Sequence, residues 1–177
     1  KYIAEKIAEW EQTKAYTFLF GYEESYGYLA ADFVRDKDAV QIALLTAEMA
    51  AYYDLRGQTL TDVLKGLYEE LGYYKEALIS LMKGQQKISD IMTKFRKKTP
   101  IEFAGIPVVK TEDYLTQSVN GLPKADVVKF LLADESWICV RPSGTEPKCK
   151  VYIGVKKESE AQSEQAIEQL KQAVKKL

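Results

Sequence analysis

Apolar residues recur at helical spacing through most of the first part of the chain. The spacing predicts helices over 2–12, 39–53 and 59–71. The aromatic run "AYTFLF" at 15–20 predicts a strand. The helix over 39–53 is apolar on nearly every face, which predicts burial on most sides. One strand with three helices is too little sheet for an α/β domain. Residues 1–73 are therefore interpreted as the mostly helical, C-terminal remnant of an α/β domain whose earlier strands are absent.

The second part of the chain changes to alternating apolar and polar positions, which are typical of strands. Residues 111–126 are predicted to be a loop, and Asp134 and Glu135 a hairpin turn. The order β-α-β-β-β-β-α predicts an α+β domain over 74–177, with an antiparallel sheet flanked by helices on one face. Its predicted strands are 77–83, 105–110, 127–132, 136–141 and 148–155, and its predicted helices are 85–98 and 159–177.

Composition excludes several classes of protein. The chain has 177 residues, 46% hydrophobic and 29% charged, with a formal net charge of −1. This balance argues against a nucleic-acid-binding protein, and no apolar run is long enough to span a membrane. The sequence contains no histidine, which excludes catalytic triads that use one. Cys139 and Cys149 fall in predicted strands and are interpreted as core thiols of a protein from the reducing cytoplasm.

The N-terminal segment "KYIAEKIAEW" is amphipathic and does not start with methionine. It lacks the features of a signal peptide. We expect the chain to be part of a longer polypeptide.

The segment "RPSGTEPKCK", residues 141–150, joins two predicted strands. Arg141 offers a planar fork of donors suited to phosphate oxygens, and Lys150 adds a point charge on the return strand. Ser143, Gly144 and Thr145 offer hydroxyls and successive backbone N–H groups that can form a nest for an anion. The segment indicates a phosphate site; the alternative is a plain hairpin loop with a stray arginine.

A second polar segment, "GYEESYG", follows the predicted strand 15–20. Glu23 and Ser25 lie two residues apart, so in extended backbone they face the same way and could grip vicinal hydroxyls of a polyol. The alternative is that the acids are solvated and the tyrosines pack in a core. Downstream, Asp38 is interpreted as a helix cap. Lys37 could meet an anion or a sugar, or belong to a charged loop.

These segments, "GYEESYG", "RDKD" and then "RPSGTEP", resemble the α-D-phosphohexomutases, above all the bacterial phosphoglucomutase branch, which is close to the phosphopentomutases. The resemblance implies the end of the family's third domain followed by its fourth domain. It implies a sugar-binding role for Glu23, Ser25 and Lys37. It also implies a phosphate-binding role for Arg141, Ser143, Gly144, Thr145 and Lys150, where the family more often carries arginine in place of Lys150.

The resemblance further implies that the full-length protein interconverts hexose 1-phosphate and hexose 6-phosphate, with glucose as the expected sugar, through a bisphosphorylated intermediate. The family's phosphoserine segment and its Asp-rich Mg²⁺ loop do not occur in this sequence. The chain is therefore expected to hold no catalytic residue and no metal, and to be inactive alone. Mg²⁺ and glucose 1,6-bisphosphate are implied only for the full-length protein.

The expected partners are a phosphosugar substrate and upstream domains of the same polypeptide, with self-association through residues 1–73. Neither nucleic acid nor a membrane is expected. Two other functions stay open at this point. One is a stand-alone phosphosugar-binding or regulatory module without catalysis, and the other is a phosphopentomutase fragment. A purely structural role without a ligand is the third alternative.

Overall fold

The structure is a computed structural model of the chain. It describes residues 2–23, 26–81, 88–97, 99–116, 119, 121–143 and 148–176. The chain divides into two compact units, residues 1–66 and residues 67–177. The domain boundary expected near residue 73 stays a prediction.

Unit 1 is mostly helical, as the sequence pattern predicts. Asp38 caps α2, because its carboxylate accepts from the backbone N–H groups of Val40 and Gln41. Thr59 and Asp62 form a reciprocal capping box at the start of α3, with Thr59 N–H donating to the Asp62 carboxylate at 2.9 Å. The elements are α1 (Tyr2–Thr13), β1 (Gly21–Tyr22), β2 (Tyr28–Leu29), α2 (Ala39–Asp54) and α3 (Leu60–Leu71), the last of which runs across the division.

Two expectations for unit 1 are wrong. Residues 15–20 form no strand, and pairing begins only at Gly21, which lies opposite Leu29. No residue of α2 is buried; Val40 is 79% exposed and Leu44 63% exposed. A strand needs a hydrogen-bonded neighbour, and among the described residues 15–20 have none. An apolar helix needs a cover; α2 contacts β2, and Gln41 accepts from the N–H of Ala30 at 3.1 Å, but these contacts bury none of its residues. The self-association expected through residues 1–73 stays a prediction.

Unit 2 contains one antiparallel sheet of six strands, in the order β3-β8-β7-β6-β5-β4. Its first strand pairs with its last over nine residues, from Tyr73 opposite Lys157 to Leu81 opposite Cys149. The elements are β3 (Tyr73–Leu81), α4 (Ile88–Lys97), β4 (Glu102–Phe103), β5 (Ile106–Asp113), β6 (Val128–Leu132), β7 (Trp137–Pro142), β8 (Cys149–Lys157) and α5 (Glu160–Lys176).

The hydrophobic core of unit 2 lies on one face of this sheet, against both helices. Alternate residues of β6, β7 and β8 are buried, including Phe130, Val140 and Val151, and their neighbours in sequence turn to the other face. Helices α4 and α5 contribute the buried Phe95 and Leu170 to the same cluster. The α+β fold with an antiparallel sheet flanked by helices is thus confirmed.

The structure differs from the predicted strands at the edge of the sheet formed by β4 and β5. Strand β4 was not predicted, and β5 extends to Asp113, into the segment 111–126 that was expected to be a loop. The extension follows from pairing with β6, in which Glu112 and Asp113 lie opposite Lys129 and Val128. Next to it, the guanidinium of Arg96 on α4 contacts Asp113 at 3.0 Å and Asp126 at 2.7 Å. The ends of the predicted strand 77–83 and helix 85–98 lie partly outside the described residues.

Both cysteines are free thiols. Cys149 is buried in the core as predicted, and burial raises its pKa to about 11. Cys139 is only half-buried, on the opposite face of the sheet, and burial raises the pKa of its thiol as well. Both thiols are therefore protonated near neutral pH and poor nucleophiles.

The turn between β6 and β7 supports a prediction about pH. Burial raises the pKa of the Asp134 carboxyl, but hydrogen bonds from Lys157 and Ser136 outweigh this effect and hold the pKa below its ordinary value. A lowered pKa stabilises the fold above the unfolded value of about 3.9, and this stabilisation is lost as the pH falls through the folded value. We expect Asp134→Asn to lose about 1 kcal/mol of stability at pH 7 and to lose less on acidification.

Urea unfolding of both proteins between pH 3 and pH 7 measures this effect. Asp54→Asn, at the exposed end of α2, is the control, because no hydrogen bond to its side chain is described. Equal loss of stability on acidification in Asp134→Asn and the unchanged protein would contradict the prediction.

Candidate functional site

The first candidate site is the short hairpin of β1 and β2 in unit 1. Glu23 stands directly after β1, and its backbone N–H donates to the carbonyl of Gly27 at 2.8 Å, which closes the turn. Tyr26 within the turn has φ +65°. Ser25 lies outside the described residues, so its expected position beside Glu23 stays a prediction.

Three aromatic rings line this hairpin. Tyr22 and Tyr28 are direct partners in the strand pair, and their rings stack with centroids 6.5 Å apart. The ring of Phe20 lies 6.2 Å from Tyr22 and 6.3 Å from Tyr28. Tyr22 is 68% exposed and Phe20 49% exposed, so these rings are not a closed core.

Lys37 reaches this hairpin from the segment just before α2. Its ammonium group lies 3.2 Å from a carboxylate oxygen of Glu23. The backbone N–H of Asp38 donates to the carbonyl of Tyr28 at 3.0 Å, which fixes the start of α2 beside β2. The structure therefore brings together Glu23 and Lys37, which the sequence assigned to one site from separate segments.

The second candidate site is the hairpin of β7 and β8 in unit 2. Arg141 and Lys150 are direct partners across the two strands, and Ser143 N–H donates to the carbonyl of Lys148 at 2.9 Å. Gly144 and Thr145 fall outside the described residues, and the anion nest expected there stays a prediction.

The side chains of Arg141 and Lys150 belong to the face of the sheet opposite the core. Like charges directly opposite each other in a sheet are destabilising. Within the described ranges of the chain, no carboxylate forms an ion pair with either side chain. An anion bound between the two cations would remove this repulsion.

Sequence reasoning missed two residues of these sites. Tyr152 lies under Arg141, whose guanidinium carbon is 5.5 Å from the ring centroid. The signal was available, because Tyr152 follows Lys150 by two positions and must share its face. Gly27 lies against the stem of Lys37, which only a three-dimensional structure could show.

The two sites present charged and polar groups that can bind a ligand. The described residues contain no group of three or more His, Cys, Asp or Glu side chains that could hold a metal ion. Carboxylate, ammonium, guanidinium and hydroxyl groups in these positions can bind hydroxyls and an anion.

The overall architecture matches that of a solved protein, the exocytosis-sensitive phosphoprotein pp63/parafusin, a phosphoglucomutase from Paramecium in its open form. The match has a TM-score of 0.62 at 16% sequence identity and covers 98% of this chain and 32% of that chain. At this identity the match establishes the fold.

Sequence comparison then establishes the family. Residues 1–71 match the model of phosphoglucomutase/phosphomannomutase alpha/beta/alpha domain III, and residues 92–177 match that of the phosphoglucomutase/phosphomannomutase C-terminal domain. The chain belongs to the phosphoglucomutase/phosphomannomutase family and corresponds to the C-terminal part of its members. This assignment confirms the resemblance noted in the sequence.

Curated relatives agree with this assignment. Phosphoglucomutase of Staphylococcus haemolyticus is 43% identical over 169 residues, and that of Staphylococcus aureus strain bovine RF122 / ET3-1 is 42% identical over 170 residues. Each match covers 88% of this chain and 30% of the relative, so the chain spans about a third of the length of these relatives. None of the described helices is long and apolar enough to cross a membrane.

Proposed function

We propose that this chain is the part of a phosphohexomutase that binds the phosphosugar substrate. The observation that carries the proposal is the pair of adjacent cations, Arg141 and Lys150, which face each other across two strands without a carboxylate partner in the described ranges. Family membership and the names of the Staphylococcus relatives favour glucose 1-phosphate and glucose 6-phosphate as the ligands.

The proposed roles divide between the two sites. Glu23, Ser25 and Lys37 bind sugar hydroxyls, with the carboxylate accepting and the ammonium donating hydrogen bonds. The phosphate that is not being transferred binds at the β7–β8 hairpin. The groups proposed to hold it are the side chains and backbone of Arg141, Ser143, Gly144, Thr145 and Lys150.

The proposed full-length enzyme is an intramolecular phosphotransferase that interconverts hexose 1-phosphate and hexose 6-phosphate through a bisphosphorylated intermediate. This chain contributes to that reaction by holding and orienting the substrate, which is a large part of phosphoryl-transfer catalysis. It is proposed to supply no catalytic residue, and upstream domains of the same polypeptide are proposed to supply the reacting groups. We place the enzyme in the cytoplasm, where two unpaired thiols are stable.

The proposed cofactors of the full-length enzyme are Mg²⁺ and glucose 1,6-bisphosphate. Among the described residues no three acidic side chains cluster with one another or with a thiol, so none is proposed as a Mg²⁺ ligand. No step of the reaction is therefore assigned to a metal bound by these residues.

An NMR titration of the chain tests the binding role. Inorganic phosphate and glucose 1-phosphate are expected to shift the amide signals of Arg141 and Lys150, and glucose 1-phosphate also those around Glu23 and Lys37. Glucose alone is expected to shift only the second group. If neither phosphate compound shifts the signals of the β7–β8 hairpin at millimolar concentration, the chain has no phosphate site of its own and the proposal fails.

A coupled assay for glucose 6-phosphate tests the proposed lack of catalysis. The chain alone, supplied with glucose 1-phosphate, Mg²⁺ and glucose 1,6-bisphosphate, is expected to form no product above the background. Mutase activity that copurifies with the chain would show that the chain contains catalytic groups.

A further inference from the structure

The side chain of Lys37 crosses the backbone at Gly27 on its way to Glu23. A Cβ atom placed on Gly27 would overlap the Cδ of Lys37 and would lie 2.8 Å from its Cγ and 3.2 Å from its Cε. Contacts this short do not occur in folded proteins, so the observed course of Lys37 requires a residue without a side chain at position 27.

The glycine is required for space and not for its backbone conformation. Gly57, Gly72, Gly105 and Gly121 have positive φ, whereas Gly27 is not among the glycines in that region. Alanine is therefore compatible with the backbone at position 27, and the only atoms in its way belong to one flexible side chain.

Backbone hydrogen bonds connect both sides of the Lys37–Glu23 pair to this part of the hairpin. Glu23 N–H donates to the carbonyl of Gly27, and Asp38 N–H, one residue after Lys37, donates to the carbonyl of Tyr28. These bonds place the backbone of residues 23 and 37–38 on either side of the glycine, and the ammonium and the carboxylate meet at 3.2 Å.

The ion pair itself adds little to stability. The side chain of Lys37 is 43% exposed and that of Glu23 is 35% exposed, and exposed pairs are weak. The pair therefore contributes little to the fold, and the lack of a side chain at position 27 is what leaves room for Lys37 to reach Glu23.

We propose that Gly27 is a positioning residue, which keeps a channel open for the Lys37 stem and so places its ammonium beside the Glu23 carboxylate for the ligand. This inference rests on the proposed function in one respect, namely that the Lys37 ammonium and the Glu23 carboxylate bind a sugar. The position of Lys37 can be tested without any ligand.

The ligand-free test is acetylation of surface lysines, with the rate at each lysine followed by mass spectrometry. In Gly27→Ala and in Glu23→Gln, the rate at Lys37 is expected to rise about two- to fivefold, because the ammonium leaves an exposed ion pair. Lys6, paired with Glu9 at 2.7 Å in α1, is the internal control and should keep its rate. A rise in Glu23→Gln without a rise in Gly27→Ala would overturn the proposal.

The second test measures the affinity for glucose 1-phosphate in Gly27→Ala, Lys37→Met and the double variant. Each single variant is expected to weaken binding roughly tenfold, as for loss of one charged hydrogen bond. The double variant should be no weaker than Lys37→Met, because both changes remove the same contact. Additive losses would contradict the inference, since Gly27 would then act independently of Lys37.

Thermal unfolding is the control for folding, with Gly66→Ala as a matched glycine in α3 that has no atom within 4 Å of an added Cβ. Gly27→Ala should unfold cooperatively, at a temperature close to that of the unchanged protein. If the acetylation rates change as expected but no variant loses affinity, Gly27 positions Lys37 and the sugar-binding part of the proposed function is wrong. Failure of Gly27 to position Lys37 and failure of the chain to bind sugar therefore give different results.

Discussion

Arg141→Ala is expected to weaken the binding of inorganic phosphate and of glucose 1-phosphate by about 10- to 150-fold, the range for losing a charged hydrogen bond of about 1.5–3 kcal/mol. The guanidinium is exposed, lies over the ring of Tyr152 and faces Lys150 across the hairpin. Its removal takes away both a fork of donors and one of the positive charges of the hairpin. NMR titration measures the change, because it detects millimolar affinities.

Arg141→Lys separates charge from geometry. It keeps the cation but loses the planar fork, so binding should be weakened less than in Arg141→Ala but should not be restored. Arg56→Ala is the matched control, since Arg56 is also exposed and also lies over a tyrosine ring, that of Tyr52, at 3.4 Å. Equal affinities of Arg141→Ala and Arg56→Ala for phosphate would show that the β7–β8 hairpin is not the phosphate site.

Gly154→Ala is expected to cost about 1–3 kcal/mol of stability, through overpacking. Gly154 lies in β8 directly opposite Trp137 of β7, and the indole ring covers it. An added Cβ would overlap this ring and would lie 2.6 Å from its Cζ2. The Lys129 ammonium also lies over this ring, 5.0 Å from its centroid, so a shift of the ring would disturb that contact as well. Urea unfolding followed by circular dichroism measures the loss.

A double-mutant cycle shows whether the ring is the cause. In a Trp137→Leu background the added methyl group has space, so Gly154→Ala should then cost much less. Gly66→Ala, in open space within α3, should instead gain about 0.5–1 kcal/mol. The same cost of Gly154→Ala with and without Trp137 would show that the destabilisation has another origin.

Much of unit 2 could be predicted from sequence because its strands alternate cleanly. In β7, Ile138 and Val140 are buried while Arg141 is exposed, as period-two alternation requires. The proposed phosphate-binding segment could also be picked out, because its candidate groups lie within ten consecutive residues. Pairing of Arg141 with Lys150 then follows from the hairpin that joins their strands.

Unit 1 was harder to predict because the pattern of apolar residues shows which segments favour packing against a neighbour. It does not show whether the fold provides that neighbour. The aromatic run at 15–20 has strand composition, and α2 has the composition of a buried helix. Within the described residues neither segment finds the neighbours that such composition favours. The contact of Gly27 with Lys37 was missed for a different reason, since the closeness of a glycine to a lysine ten residues away depends on three-dimensional packing. Tyr152 could have been found from the sequence, because it follows Lys150 by two positions in β8 and shares its face of the sheet.

The bond from Ser143 N–H to the Lys148 carbonyl closes the end of the β7–β8 hairpin, and the ladder between the two strands continues from it into the core. The entropy of closing this connection is offset by buried residues such as Val140 and Val151. Arg141 and Lys150 alternate with these residues along the same two strands. The core of unit 2 therefore sets the spacing between the two cations.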